Sequence, residues 1–174
     1  MGALKEFSIP LKGLRIGLHD YKFQIDGSFF DHFENSPIKQ GKLMLHLSID
    51  KRSSMYILNF DFEGGVNTNC DRCLAKILLP LSGSQRLLVK FSEDGSNEED
   101  DDVIFISKDT AHLDVSQYAF EYICLAMPLN KVYDCEYDDP MPCNETIVNY
   151  LIDHEEEIQD NKDNPLWDAL KKLK

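Results

Sequence analysis

The sequence predicts an α+β fold: an antiparallel sheet, barrel-like if its edges meet, with one buried helix and a C-terminal helical tail. Three observations predict it. Apolar residues alternate with polar ones through most of residues 7–91, one stretch after Asp114 repeats its apolar residues with helical period, and a short apolar-faced segment opens at Pro165. We expect residues 1–152 to form a single domain with an acidic loop inserted at 93–102. An acidic linker and terminal amphipathic helix should follow over 153–174.

The elements follow in order. Phe7, Ile9 and Leu11 alternate, as do Tyr21, Phe23 and Ile25, which is the signature of half-buried strands. Phe29, Phe30 and Phe33, between Gly27 and Pro37, have the spacing of a short helix resting on the sheet. Leu43, Leu45, Leu47 and Ile49 then alternate with Met44, His46, Ser48 and Asp50. After Asp50-Lys51-Arg52-Ser53 the pattern resumes at Tyr56, Leu58, Phe60 and Phe62, which predicts an antiparallel hairpin with His46 facing away from the core. A strand from Val66 runs into Cys70-Asp71-Arg72-Cys73, and alternation returns at Ile77, Leu79 and Leu81 and again at Leu87, Val89 and Phe91. The CxxC is therefore expected at a bend between two strands. Residues 93–102 hold seven acids and no base, the composition of a solvated loop, and Val103 to Ile106 suits a short strand. Asp114 and Gln117 resemble a capping box opening a helix with Val115, Tyr118, Ala119, Tyr122, Ile123 and Ala126 on one face. Pro128 ends it. A loop reaches Cys143, a polar helix is expected from Glu145 to about Glu157, and the last helix starts with Asn164 as cap and Pro165 in its first turn.

Composition narrows the function classes. An apolar content of 43% fits a globular core, and no run approaches the roughly 20 apolar residues of a membrane span. Glu6 and Pro10 interrupt the place where a signal peptide needs an apolar stretch, so a cytoplasmic location is expected. Five cysteines, an odd number, argue against a secreted disulfide framework. The net charge of −13 divides unevenly. Residues 1–92 hold 12 Lys and Arg against 9 acids (+3), and residues 93–174 hold 6 against 22 (−16). The first half is thus free to meet a phosphate backbone, although +3 over 92 residues is no basic patch.

Cys70 and Cys73 can be read as a redox dithiol, as half of a zinc site or as structural thiols. The redox reading is weakest, because a reactive CxxC usually sits at a helix N-terminus, where the dipole lowers the nucleophile's pKa. A zinc site needs about four ligands, and Cys135 and Cys143 are the other cysteines outside predicted regular structure. Their seven-residue separation is looser than a common zinc knuckle, which leaves metal and simple structural thiols both open. Cys124 lies on the predicted buried helix and reads as a small core residue. No phosphate-cradling glycine loop, nucleophile elbow or His-Glu-x-x-His occurs, and the acids come in runs, so no enzymatic activity is expected. Pro165, Leu166, Trp167, Leu170 and Leu173 give the tail helix an apolar side that can cap the protein's own core or dock on a partner.

A Cys-x-Arg-Cys between strands, an apolar helix ending in Ala-Met-Pro-Leu, and a terminal Asn-Pro-Leu-Trp-x-x-Leu-x-x-Leu-Lys together resemble the YceD family, from about Val66 onward. The matching positions are Cys70, Arg72, Cys73, Pro128, Cys143, Asn164, Pro165 and Leu170. Many relatives carry a further His or Cys before the position matched to Cys143, a place to which Cys135 corresponds. The resemblance implies a role in accumulation of large-subunit ribosomal RNA, without known enzymatic activity. The partner would be precursor RNA, met by the first half, or a basic ribosomal protein held by the acidic second half, and the second is preferred. Zinc on Cys70, Cys73, Cys135 and Cys143 is the expected cofactor. The rivals are a thiol oxidoreductase using the CxxC and a zinc-stabilised interaction module unrelated to ribosomes.

Overall fold

The computed structural model describes residues 4–92, 102–133 and 142–151. The alternating segments become strands β1 (Ser8–Pro10), β2 (Gly17–Ile25), β3 (Gln40–Lys51), β4 (Met55–Asn69), β5 (Lys76–Phe91), β6 (Val103–Ile106) and β7 (His112–Asp114), with helices α1 (Gly27–Phe30) and α2 (Ser116–Leu125). Strands β2-β3-β4-β5-β6 form one sheet in that order, and β1 and β7 form a separate two-stranded ribbon. The predicted hairpin is β3–β4, paired from Gln40↔Asn67 to Lys51↔Tyr56. β2 lies antiparallel on its other side, with Gly17 opposite Lys51 and Ile25 opposite Leu43.

Among the described residues the sheet is open rather than a barrel. Its edges are β2 and β6, and β6 runs parallel to β5, Leu88 facing Val103, so the sheet is mixed. A four-residue β6 is too short to close against the nine-residue β2 at the other edge, because closure needs tilted strands paired along most of their length.

Leu43, Leu45, Leu47, Ile49, Leu58 and Phe60 all lie on one face and are buried. Against them packs α2, with Val115, Ala119, Tyr122 and Ile123 buried and the Tyr122 ring edge-on to Phe60 at 5.2 Å. A chain of rings ties the ribbon, β2 and both helices together: Phe7–Phe23 at 4.6 Å, Phe7–Phe29 at 5.0 Å, Phe29–Phe33 at 5.2 Å and Phe33–Phe120 at 4.0 Å. The short helix expected from these phenylalanines is present as α1, where Asp26 accepts the Ser28 backbone N–H at 2.9 Å. The capping box expected at α2 does not form, since the residue before the helix is Val115, which makes no side-chain cap bond. Asp114 accepts from the Ser116 backbone and hydroxyl, but Gln117 donates forward to Glu121 at 2.7 Å instead of reaching back. A helix partner four residues on competes with the cap for the same amide.

The chain divides into two compact units. The first takes residues up to Thr68 together with Leu78–Leu129, and the second takes Asn69–Ile77 together with the chain from Asn130. The second contains the CxxC turn and a helical stretch over 145–151, where the polar helix was expected to begin.

Candidate site at the Cys70–Cys73 turn

β4 runs out at Asn69 and β5 begins at Lys76, so the CxxC does lie at a turn between strands. The Cys70 backbone N–H donates to the Ala75 carbonyl at 2.8 Å, and the Leu74 N–H donates to the Cys70 carbonyl at 2.9 Å. Closing so tight a loop puts Leu74 in the left-handed region at φ 59°, which costs a non-glycine residue about 1–2 kcal/mol. Both sulfur-bearing residues turn inward, Cys70 being 2% and Cys73 1% exposed.

A second segment locks this turn. The Asp71 N–H donates to the Lys131 carbonyl at 2.9 Å, and the Lys131 N–H returns a bond to the Asp71 carboxylate at 2.7 Å. The Lys131 ammonium stands 3.6 Å from the other carboxylate oxygen. Two residues on, Tyr133 directs its backbone N–H at the Cys70 sulfur. Burial opposes ionisation of Cys70, but N–H groups of Cys73, Tyr133 and Arg72 and the Cys73 thiol all favour the thiolate and hold its pKa below the usual thiol value.

Cys143 comes to the same turn, since the Arg72 guanidinium donates to its sulfur at 3.7 Å. Residues 70, 72, 73 and 143, separated by 70 positions of sequence, therefore belong to one locality of the second unit. Cys143 is disulfide-bonded, whereas Cys70, Cys73 and Cys124 are free thiols. Among the described residues no group of three or more His, Cys, Asp or Glu is assembled as a metal site. Cys135, the other expected ligand, and Pro165, Leu166, Trp167, Leu170 and Leu173 lie outside the described residues.

The remaining candidates fall where their patterns put them. Cys124 is half-buried on α2, and burial, with Glu121 nearby, pushes its thiol up to about 11, the behaviour of a packing residue rather than a nucleophile. His46 faces outward on β3, 3.2 Å from Asp20 on β2. Sequence reasoning missed Asp71, Lys131 and the Tyr133 backbone. Their partnership spans 60 residues, and nothing local to either segment signals it.

Among the described residues no helix is long and apolar enough to cross a membrane. Neither a curated protein nor a solved structure matches the chain. The pattern of one family does match, over residues 58–174, which takes in β4, the CxxC turn, β5, α2 and the remainder of the chain. The chain therefore belongs to the family described as large ribosomal RNA subunit accumulation protein YceD.

Proposed function

We propose that the protein is a cytoplasmic, non-enzymatic binding factor that supports accumulation of large-subunit ribosomal RNA, by holding precursor RNA or a basic ribosomal protein. The observation that carries this reading is the family match across two thirds of the chain, including the Cys70–Cys73 turn. Against a thiol oxidoreductase stands the burial of both CxxC sulfurs, which denies a substrate disulfide the in-line approach that exchange requires. The reading is tested by deleting the gene and measuring large- against small-subunit ribosomal RNA. A selective fall in the large-subunit species is expected, and an unchanged ratio in a strain that grows slowly would refute the role.

Within this reading the CxxC turn is a structural metal site with Cys70, Cys73, Cys143 and Cys135 as ligands. Two buried free thiols on a tight turn, N–H donors that favour a thiolate at Cys70, and the approach of Cys143 suit zinc's preference for sulfur donors. Zinc would fasten the turn to the distal loop and contribute directly to folding. The metal needs thiolates, so Cys143 must be in its reduced form for this role. The segment 164–174, through Pro165, Leu166, Trp167, Leu170 and Leu173, serves as the docking element for the partner or for the protein's own body.

A further inference from the structure

One end of the five-stranded sheet gathers cations from segments far apart in the chain. Gly17, at the start of β2, lies opposite Lys51, at the end of β3, and Arg52-Ser53-Ser54-Met55 closes the hairpin there with an Arg52 N–H to Met55 carbonyl bond of 2.9 Å. Lys51 fixes the segment before β2 onto this end, donating to the carbonyls of Leu14 at 2.9 Å and Leu11 at 3.4 Å while lying 5.4 Å above the Tyr56 ring. That brings Lys12 and Arg15 beside the turn, both exposed, with Arg52 also exposed. β5 ends at the same place, because Phe91 meets Tyr56 edge-on at 5.6 Å, with the neighbouring Lys90 turned to the opposite face of the sheet.

Among the described residues, Lys12, Arg15 and Arg52 thus stand about Lys51, and Asp50 pairs with Arg52 at 2.9 Å. The segment after β6 adds Lys108 and Asp109, one of each sign. A protein of net charge −13 concentrates here the positive charge that the arithmetic of its halves dilutes. Hydroxyls of Ser53 and Ser54 at the turn, and the exposed apolar side chains of Ile16 (74%) and Leu18 (65%) beside it, complete a surface that mixes phosphate donors with apolar contacts for base or sugar. The acidic run that begins at Glu93, two residues after Phe91, lies outside the described residues.

The geometry points to this sheet end as a surface for the RNA phosphate backbone, read without sequence preference, and this deepens the proposed role in ribosomal RNA accumulation. Phosphates fit it better than a basic ribosomal protein, which would be repelled by it. Repulsion from acids further than about 8–10 Å away is screened at physiological salt, so the charge near the surface governs contact. Each phosphate contact on a single strand releases about 0.7 counterion, so three exposed cations account for a slope of about −2 in log affinity against log salt.

The test uses the full chain and a fluorescein-labelled 20-nucleotide single-stranded RNA, read by anisotropy across a salt series. Lys12→Gln, Arg15→Gln and Arg52→Gln together should weaken binding at least tenfold at low salt and reduce the slope by about 2. Lys51 is left intact because it fixes the segment, and unchanged thermal unfolding confirms the fold. Lys22→Gln, Lys39→Gln and Lys42→Gln remove the same charge elsewhere, Lys42 roughly 30 Å along β3 from Lys51 at about 3.3 Å per residue, and should leave affinity within twofold. Equal loss in both variants, no RNA binding by the natural chain, or capture of a basic ribosomal protein without RNA overturns the inference. In the deletion strain, full rescue of large-subunit RNA by the first triple variant refutes this surface alone. Absence of any deletion phenotype refutes the function on which it rests.

Discussion

Replacing Asp71 with Ala should open the CxxC turn without unfolding the rest of the molecule, by an amount the local geometry sets. The substitution removes the acceptor of the Lys131 N–H, a charge-assisted bond of 2.7 Å, and the 3.6 Å ion pair with the Lys131 ammonium. Hydrogen bonds to charged groups contribute about 1.5–3 kcal/mol, and the partial exposure of this one places it near the lower end. The ion pair, with both side chains at least a third exposed, contributes about 0.5 kcal/mol. The total, about 2 kcal/mol, corresponds to a roughly 30-fold larger population of the opened turn, since about 1.4 kcal/mol is a factor of ten. Labelling of Cys70 and Cys73 by a thiol reagent, resolved by peptide mass spectrometry, reads that population when opening is fast and reversible. Both should label about 30-fold faster in Asp71→Ala. In Lys131→Met, which keeps the backbone N–H and loses only the ion pair, the increase should be roughly twofold. Cys124, in the other unit, serves as the internal control and should not change. The reasoning fails if Lys131→Met labels as fast as Asp71→Ala, or if Cys124 accelerates in parallel, which would mean that Asp71 supports the whole fold.

Gly64→Ala should destabilise the first unit by about 3 kcal/mol or more in urea unfolding, because φ is +155° there and a Cβ would run into the Lys42 carbonyl and the Leu43 backbone. Gly65→Ala, which meets only the movable tip of Leu78, should cost much less, and equal losses would contradict this account. Burial, followed by the charges of Asp102, Tyr118 and Glu121, raises the Tyr122 phenol from 10.0 to about 12. The folded state thus prefers the neutral phenol, so this contribution is complete below pH 10 and is lost as pH climbs from 10 towards 12. Tyr122→Phe should flatten stability across that window, and an unaltered alkaline slope would count against the assignment. Protein purified with a reductant and without chelator should hold close to one equivalent of zinc, falling sharply in Cys70→Ser or after oxidation. Well under one equivalent in the reduced natural chain removes the metal from the account.

How far the sequence was legible depended on the range of the interaction. Alternation at Leu43, Leu45, Leu47 and Ile49 identified the buried face of β3, because side-chain direction in a strand is fixed by neighbours two residues away. The position of the CxxC at a bend followed in the same way from the strands on each side. The parallel pairing of β5 with β6 did not follow, since Val103 to Ile106 reads the same whichever neighbour it joins and in whichever direction. The barrel-like expectation was not met among the described residues because the four-residue β6 cannot close the sheet onto β2. The lock on the turn was likewise invisible, because Asp71 looks like any exposed acid until Lys131 is placed beside it.

Charge shows the same limit, with a consequence for function. A net charge counted along the chain averages residues that folding separates and separates residues that folding gathers. Lys12 and Arg15 lie nearly 40 residues before Lys51 and Arg52, so counted with the acids between them they are lost in the unremarkable +3 of the first half. Antiparallel pairing returns the chain to the same end of the sheet at each hairpin, and it therefore brings these residues together while leaving Asp20, Asp61 and Glu63 further along the strands. Because the field a phosphate meets is set within about a Debye length, the relevant quantity is this local sum and not the total of −13. An acidic protein can in this way present a cationic end to RNA while its remaining surface disfavours indiscriminate nucleic-acid binding.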